Sequence, residues 1–187
     1  MSIDYNSKPI NEMRRKDRGK DDEWIKQYLK AAPFAFISTM DEHQPFINSN
    51  TFVFDEANHC IYFHTSPHGR LKHNIQQNNK TCLSTAEMGR LLPAKVAKEM
   101  SVEYKSVVVF GTTALIEDLE EAKSALQKLN DKYFPHLKPG EDYRPITDYE
   151  VEHVSTFKLS IENWSGKQKE EASEFDGAFS YPYSVNK

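Results

Sequence analysis

Apolar and polar positions change their period several times along the chain. Residues 1–20 are polar and aperiodic and read as an arm. Trp24, Ile25, Tyr28, Leu29 and Ala32 then fall on one helical face; Asp21 or Asp22 can cap that helix and Pro33 ends it. From Phe34 the period shortens to that of strands. Phe34 to Thr39 is β-branched and aromatic, Asp41 to Pro45 is a turn, and Phe46 to Phe54 predicts a second strand. Phe46, Asn48, Asn50 and Phe52 share one face of it, and Ile47, Ser49, Thr51 and Val53 the other. A turn over 55–59 and a strand over 60–65 complete an antiparallel meander.

Ser66-Pro67 is expected to open a helix running to about Asn78, with Leu71, Asn74 and Ile75 inward. A fourth strand is expected over 81–86 and a loop with a helical turn over 88–100. Tyr104 to Glu117 reads as a long strand with a bend or bulge at Gly111. Asp118 caps a helix to about Tyr133, burying Ala122, Ala125, Leu126 and Leu129. A Pro-rich loop and a last strand over 154–161 follow, and beyond Trp164-Ser165-Gly166-Lys167 the chain reads as a charged, then aromatic tail. The organisation expected is an arm (1–20), one domain (21–167) and a tail (168–187). About six strands with short turns and three helices make it mainly β, an antiparallel six-stranded barrel, closed or half-closed, with peripheral helices.

Composition changes this picture in two places. An apolar fraction of 38% with a mean hydropathy of −0.72 is low for a compact monomer, so either a polar tail inflates the count or a second subunit completes the core. A formal charge of −4 argues against nucleic acid as a partner, and the basic run Arg14, Arg15, Lys16, Arg18 and Lys20 reads as a local anchor or subunit contact. Cys60 and Cys82 sit in strand-like runs and read as buried, reduced thiols of a cytosolic protein; their spacing fits neither a redox pair nor a zinc knuckle. No run has the length needed to span a bilayer, so no membrane contact is expected.

The segment Tyr62-Phe63-His64-Thr65-Ser66-Pro67-His68-Gly69-Arg70-Leu71-Lys72 carries the most chemistry. A strand runs into a helix start whose unpaired N–H groups, with the Arg70 fork, can hold an anion, while Gly69 lets the backbone approach closely. An ordinary strand–loop–helix connection with surface charges is the competing reading. Asn48-Ser49-Asn50-Thr51 makes the middle of a strand polar on both faces; a heteroaromatic ligand, or ordered water, would satisfy it. Ser106 is a lone polar residue opening an apolar strand, and Trp164 could wall a flat ligand or simply sit on a rim. His64 and His68 lack the partners of a zinc site or a catalytic triad, so no metal and no catalytic residue is assigned.

Taken in order, Tyr62-Phe63-His64-Thr65, Gly69-Arg70, Lys105-Ser106-Val107-Val108-Val109-Phe110-Gly111 and Trp164-Ser165-Gly166-Lys167 resemble the pyridoxamine 5′-phosphate oxidase-like FMN-binding split barrels. Residues 87–94 and 132–145 are similar to the branch that includes nitroimidazole-resistance-type flavoproteins. The resemblance implies a homodimer with FMN at the subunit interface. Asn48, Ser49 and Asn50 would edge the flavin ring, Phe63, His64 and Thr65 would continue that wall, and Gly69, Arg70, Leu71 and Lys72 would form the phosphate cup. Ser106 and Val107 would approach from the other subunit, and Trp164 would close the site near Lys167. Asn48 and Val53 stand where vitamin B6 oxidases carry basic residues, and Gly166-Lys167-Gln168-Lys169 replaces their Arg-rich stretch, which points away from that activity. Three functions compete: an FMN-dependent oxidoreductase acting on a small molecule, a flavin carrier or redox sensor without turnover, and a split barrel holding haem or a deazaflavin.

Overall fold

The computed structural model describes residues 5–181; the outer ends of the expected arm and tail, 1–4 and 182–187, lie outside the described residues. In chain order the elements are β1 (Gly19–Lys20), α1 (Asp22–Ala31), β2 (Ala35–Asp41), β3 (Gln44–Asn50), β4 (Val53–Asp55), β5 (Cys60–Thr65) and α2 (Arg70–Gln77). There follow β6 (Lys80–Leu92), β7 (Ser101–Leu115), α3 (Leu119–Tyr133), α4 (Asp148–Glu152), β8 (Ser155–Lys169) and β9 (Phe179–Ser180).

The architecture is a mainly antiparallel sheet with peripheral helices, but it has nine strands rather than six and its ladder does not close. The main path runs β3-β2-β6-β7-β8-β5-β4, with β1 on β8 and β9 on β6. Its two edges, β3 and β4, are neighbours in the chain, separated only by Thr51 and Phe52. Six gaps between flat strands would span roughly 29 Å, whereas the chain from Asn50 to Val53 reaches at most about 11 Å. The sheet must therefore curl until its edges nearly meet, leaving a split instead of a ladder. Helix α3 takes over the backbone groups there. The Phe52 N–H donates to the Tyr133 hydroxyl (3.0 Å), and the Phe52 carbonyl accepts from Lys132 (2.9 Å), whose ammonium lies 3.9 Å from the Phe52 ring centroid. This break divides the strand expected over 46–54 into β3 and β4.

The concave side holds the core, including Ile25, Leu29, Ile37, Phe52, Phe63, Leu83, Val107, Val109, Phe157 and Leu159. Phe63 and Phe157 stack there with centroids 5.2 Å apart. Caps fall where acidic residues predict them: Asp21 accepts from the Trp24 N–H (2.9 Å) and Asp118 from the Glu121 N–H (2.7 Å). The irregularity expected at Gly111 is present as a register shift between Phe110 and Gly111 opposite β8. A Cβ on Gly111 would stand 2.1 Å from the Ser160 carbonyl oxygen, so close backbone approach demands glycine.

Three further expectations require correction. Ser66 does not cap α2: the helix starts at Arg70 with Gly69 as N-cap at φ 153°, and the Ser66 hydroxyl serves only a local turn to the His68 N–H. Residues 88–92 continue β6 past a bulge between Met88 and Leu91 instead of forming a loop. The last strand continues to Lys169, because its polar second half pairs with β7 and with β1.

After β8 the tail is clasped. Arg90 donates to both carboxylate oxygens of buried Glu103 (2.6 and 2.8 Å) and to the carbonyls of Glu171, Ala172 and Ser173 (3.0–3.1 Å). The Glu171 N–H donates to Glu103 (2.9 Å). Arg90, with these N–H donors, pulls the Glu103 carboxyl down to about 2.

Two outcomes follow from this packing. Gly111→Ala forces the Cβ into Ser160 and should cost about 1–3 kcal/mol, lowering the melting temperature roughly 2–4 °C per kcal/mol in thermal denaturation. For Glu103, a folded value below the ordinary 4.5 means its contribution is complete above 4.5 and lost as pH falls towards 2. Hydrogen exchange over residues 170–180 should therefore stay protected down to about pH 4.5 and open towards pH 2, whereas Glu103→Gln should open it at neutral pH.

Candidate functional site

Residues expected to act together come from three elements at the split. Strand β5 ends in His64 and Thr65, a turn follows, and α2 begins at Arg70. Across the split, the Asn50 side-chain amide on β3 donates to the His64 carbonyl (2.7 Å), bridging two strands that share no ladder. Arg70 Nη1 lies 3.0 Å from Asp41 Oδ2 at the β2–β3 turn, and Lys72 Nζ donates to the Pro67 carbonyl (3.2 Å). Asn50 and His64 thus meet at the open end of the β2–β3 hairpin, where Asn50 pairs with Ala35, whereas Arg70 meets Asp41 at its turn, six residues away along β2. Phe63 and Leu71 are buried as core.

Pairing register assigns faces to the rest. Asn48, Ile37, Leu83, Val109 and Trp164 form one cross-strand row on the inner face. Ser49, Phe36, Ser84, Val108 and Ser165 form the adjacent row on the outer face, and Ser106 lies there too, between Ala86 and Lys167. Val107 points inward and is fully buried. Ser106 and Val107 are three strands from β3 along the sheet, and Trp164 is four. Within one chain the structure does not gather them with Arg70. Trp164 is engaged elsewhere: its indole N–H donates to Asp22 (2.7 Å) and its ring meets Phe54 and His59 at 6.0 and 4.9 Å.

The start of α2 differs in charge from the other helix starts. Helices α1, α3 and α4 each start with a capping side chain and acidic residues in the first turn; α2 has neither, and carries Arg70 and Lys72 there instead. Its first N–H groups face outward with partial positive charge. Beside it, His64 Nδ1, Thr156 Oγ1, Ser155 Oγ and Asn74 Oδ1 are buried without a hydrogen-bond partner among the described residues. His64 pairs with Thr156, and Thr65 with Ser155, across β5 and β8. Burial holds the His64 imidazole below its ordinary range, so it is neutral at physiological pH.

Sequence reasoning missed Asp41 as the partner of Arg70, because a turn aspartate has an ordinary explanation. It also missed Ser155 and Thr156, whose polarity at a strand start resembles a loop. A cavity of about 440 Å³ lies elsewhere, lined by Ile10, Met40, Cys82, Phe110 and others, and none of the expected site residues borders it. Among the described residues, no cluster of His, Cys, Asp and Glu could hold a metal ion, and no helix is long and apolar enough to cross a membrane.

No curated protein sequence matches the chain significantly. Solved structures do. The flavocytochrome Anf3 from Azotobacter vinelandii is 27% identical, with a TM-score of 0.73 over 87% of this chain and 76% of that one. An FAD- and haem-binding protein from Mycobacterium smegmatis shares the fold at 20% identity and a TM-score of 0.73, over 84% of this chain and 78% of its own. A candidate 5-nitroimidazole antibiotic resistance protein from Bacteroides thetaiotaomicron does so at 23% and 0.66, over 80% and 84%. The sequence profile described as pyridoxamine 5′-phosphate oxidase matches residues 21–168, nearly all of the folded domain, and the chain belongs to that family.

Proposed function

We propose that the protein is a homodimeric FMN-binding flavoprotein, an FMN-dependent oxidoreductase acting on a small molecule. The observation that carries this reading is the bare N-terminus of α2. Cations in a first helical turn are unfavourable for the helix alone, and a phosphate dianion turns that cost into a gain. Arg70 would grip the phosphate as a fork, with Asp41 yielding or sharing it, and Lys72 would add a point charge. Gly69 keeps the approach open, since a Cβ there would meet nothing within 4 Å. Asn48, Asn50, His64 and Thr65 would face the ring edge, where the partnerless polar atoms of His64 and Thr156 fit a heteroaromatic ligand. When bound, FMN supplies the hydride chemistry, and the chain supplies position, hydrogen bonds and exclusion of water.

Ser49, Ser106 and Val107 would reach the ring from a second copy, with Trp164 closing the site. Phe36, Ile47 and Met88 leave 44%, 63% and 46% of their surface exposed on the outer side of the sheet, which supports a subunit covering it. Cys60 is a buried free thiol as expected, whereas Cys82 is only half-buried; burial raises both, which suits a reducing cytosol. A second reading, haem alongside flavin, is favoured by the 27% identity with a flavocytochrome; a Soret band after haem addition would separate the two.

Arg70→Ala should lose a charge-assisted hydrogen bond of about 1.5–3 kcal/mol, a roughly 10- to 150-fold loss of FMN affinity. Riboflavin, lacking the phosphate, should bind nearly unchanged, and Lys72→Ala should cost less. Flavin-fluorescence titrations read all of these; equal weakening of both flavins would move Arg70 out of the phosphate cup, and failure of the wild type to bind FMN would end the proposal. Sedimentation at micromolar concentration should give a dimer, and a flavin-loaded monomer would refute the shared site.

A further inference from the structure

The cavity of about 440 Å³ belongs neither to the core nor to the start of α2. Its floor is the outer side of the sheet. Ser38, Cys82, Phe110 and Asn163 form one cross-strand row over β2, β6, β7 and β8, on the face opposite buried Ile37, Leu83 and Val109. Met40 lies two residues along β2 on the same face. The irregularity in the β7–β8 ladder supplies a rim. Phe110 pairs with Asn163 and Gly111 with Ile161, which leaves Glu162 as the extra residue of a bulge. Its carboxylate accepts from Lys80 (2.6 Å) and from the Thr112 hydroxyl.

The N-terminal arm makes the remaining wall. The Glu12 N–H closes a turn onto the Pro9 carbonyl (2.9 Å), and the Asn11 side-chain amide donates to the Trp164 carbonyl (3.1 Å). Within that turn Ile10 borders the cavity, although 69% of its surface is exposed. The walls thus offer a ring, a thioether, a thiol and a branched alkyl chain, and both rings and sulfur pack well on an aromatic guest. Lys80 and Glu162 neutralise each other at the mouth. An ion entering there would give up hydration without meeting an unpaired counter-charge. The Asn163 amide and the Ser38 hydroxyl can serve a neutral polar group. A cavity of about 150 Å³ already holds benzene, so a single ring inserted by another chain would leave most of this space empty. The volume instead falls within the range of small-molecule sites, roughly 300–1,000 Å³.

We propose that this cavity binds a small neutral aromatic molecule of two fused rings with one hydrogen-bonding group. Its rings pack among Phe110, Met40 and Ile10, and its polar group meets Asn163. One chain builds the whole site and no flavin is needed for it, so the inference goes beyond the flavoprotein reading and stands apart from it.

Cys82 supplies the readout. It is half-buried in the cavity floor while Cys60 is fully buried, so Cys82 is the thiol that a reagent reaches in the folded protein. Alkylation by N-ethylmaleimide in mildly alkaline buffer is followed by mass spectrometry on the flavin-free chain, with β-naphthol as the probe. Saturation-transfer NMR on β-naphthol reads the same affinity without the thiol. β-Naphthol should slow alkylation saturably, whereas naphthoate and naphthylmethylammonium should not. Phe110→Leu keeps an apolar side chain but removes the ring, and should weaken β-naphthol roughly 2- to 12-fold. Ile10→Ser alters an exposed position of the arm, which keeps the test open if Phe110→Leu does not fold, and should weaken it about 3-fold or more. The proposal is overturned if β-naphthol neither binds nor protects, if the charged analogues protect equally, or if both variants behave as wild type. FMN is titrated in parallel, and protection of Cys82 by FMN would give the cavity to the cofactor and overturn the proposal too. So would alkylation that slows with rising protein concentration while β-naphthol has no effect, since a second copy would then fill the cavity. Failure of FMN to bind bears on the flavoprotein reading alone, because the thiol measurement is made without flavin.

Discussion

Two residues decide the shape of this protein. Thr51 and Phe52 join strands that lie at opposite edges of the sheet, so the sheet curls until its margins meet. The cost of such a junction is a stretch of backbone with no ladder partner, and α3 meets it from outside through Tyr133 and Lys132. Burial draws the pKa of the Lys132 ammonium, which has no carboxylate partner among the described residues, down to about 8. Because the edges are tied by chain and not by a ladder, the split keeps polar groups that a closed barrel would consume. Asn50 can reach across to His64.

The chain disposes its charge with the same economy. Acids are spent on helix caps, on the clasp of the tail and on surface lysines, while the cations at the α2 start are opposed, among the described residues, by Asp41 alone. A net negative protein thus carries a localised positive region, an arrangement that attracts small anions while repelling extended polyanions.

What could be read from the sequence was whatever a local rule determines. Asp21 and Asp118 announce their helices because an N-cap is a bond within one turn. Gly111 announces its bulge because a strand rich in valine has no other use for glycine. Three features depend on distant partners and were hidden. The 46–54 run looks continuous, since nothing in it shows that Phe52 pairs with a helix eighty residues on. Residues 88–92 and 162–169 look like loop and tail because strands at the margin of a sheet face water and lose alternation. At the candidate site, Gly69 and Arg70 stand out in the sequence as a break before a basic helix start, whereas Asp41 and the ladder neighbours of His64 and Thr65 appear only once β2 and β8 have found their places.

The long strands β6, β7 and β8 each serve two neighbourhoods, the curled sheet at one end and the terminal segments at the other. One outcome concerns time. Residues 19–20 find their partners only in residues 166–167, so during synthesis the N-terminal segment leaves the ribosome long before the strand it needs. Such distant pairing raises contact order and makes the last steps of folding slow. The β2–β3 hairpin can form early, but the outer sheet face and its basic margin assemble only when the polypeptide is almost complete. Nascent chains therefore pass through a stage in which β-edges are present and uncovered, the stage at which such a protein is most prone to aggregate.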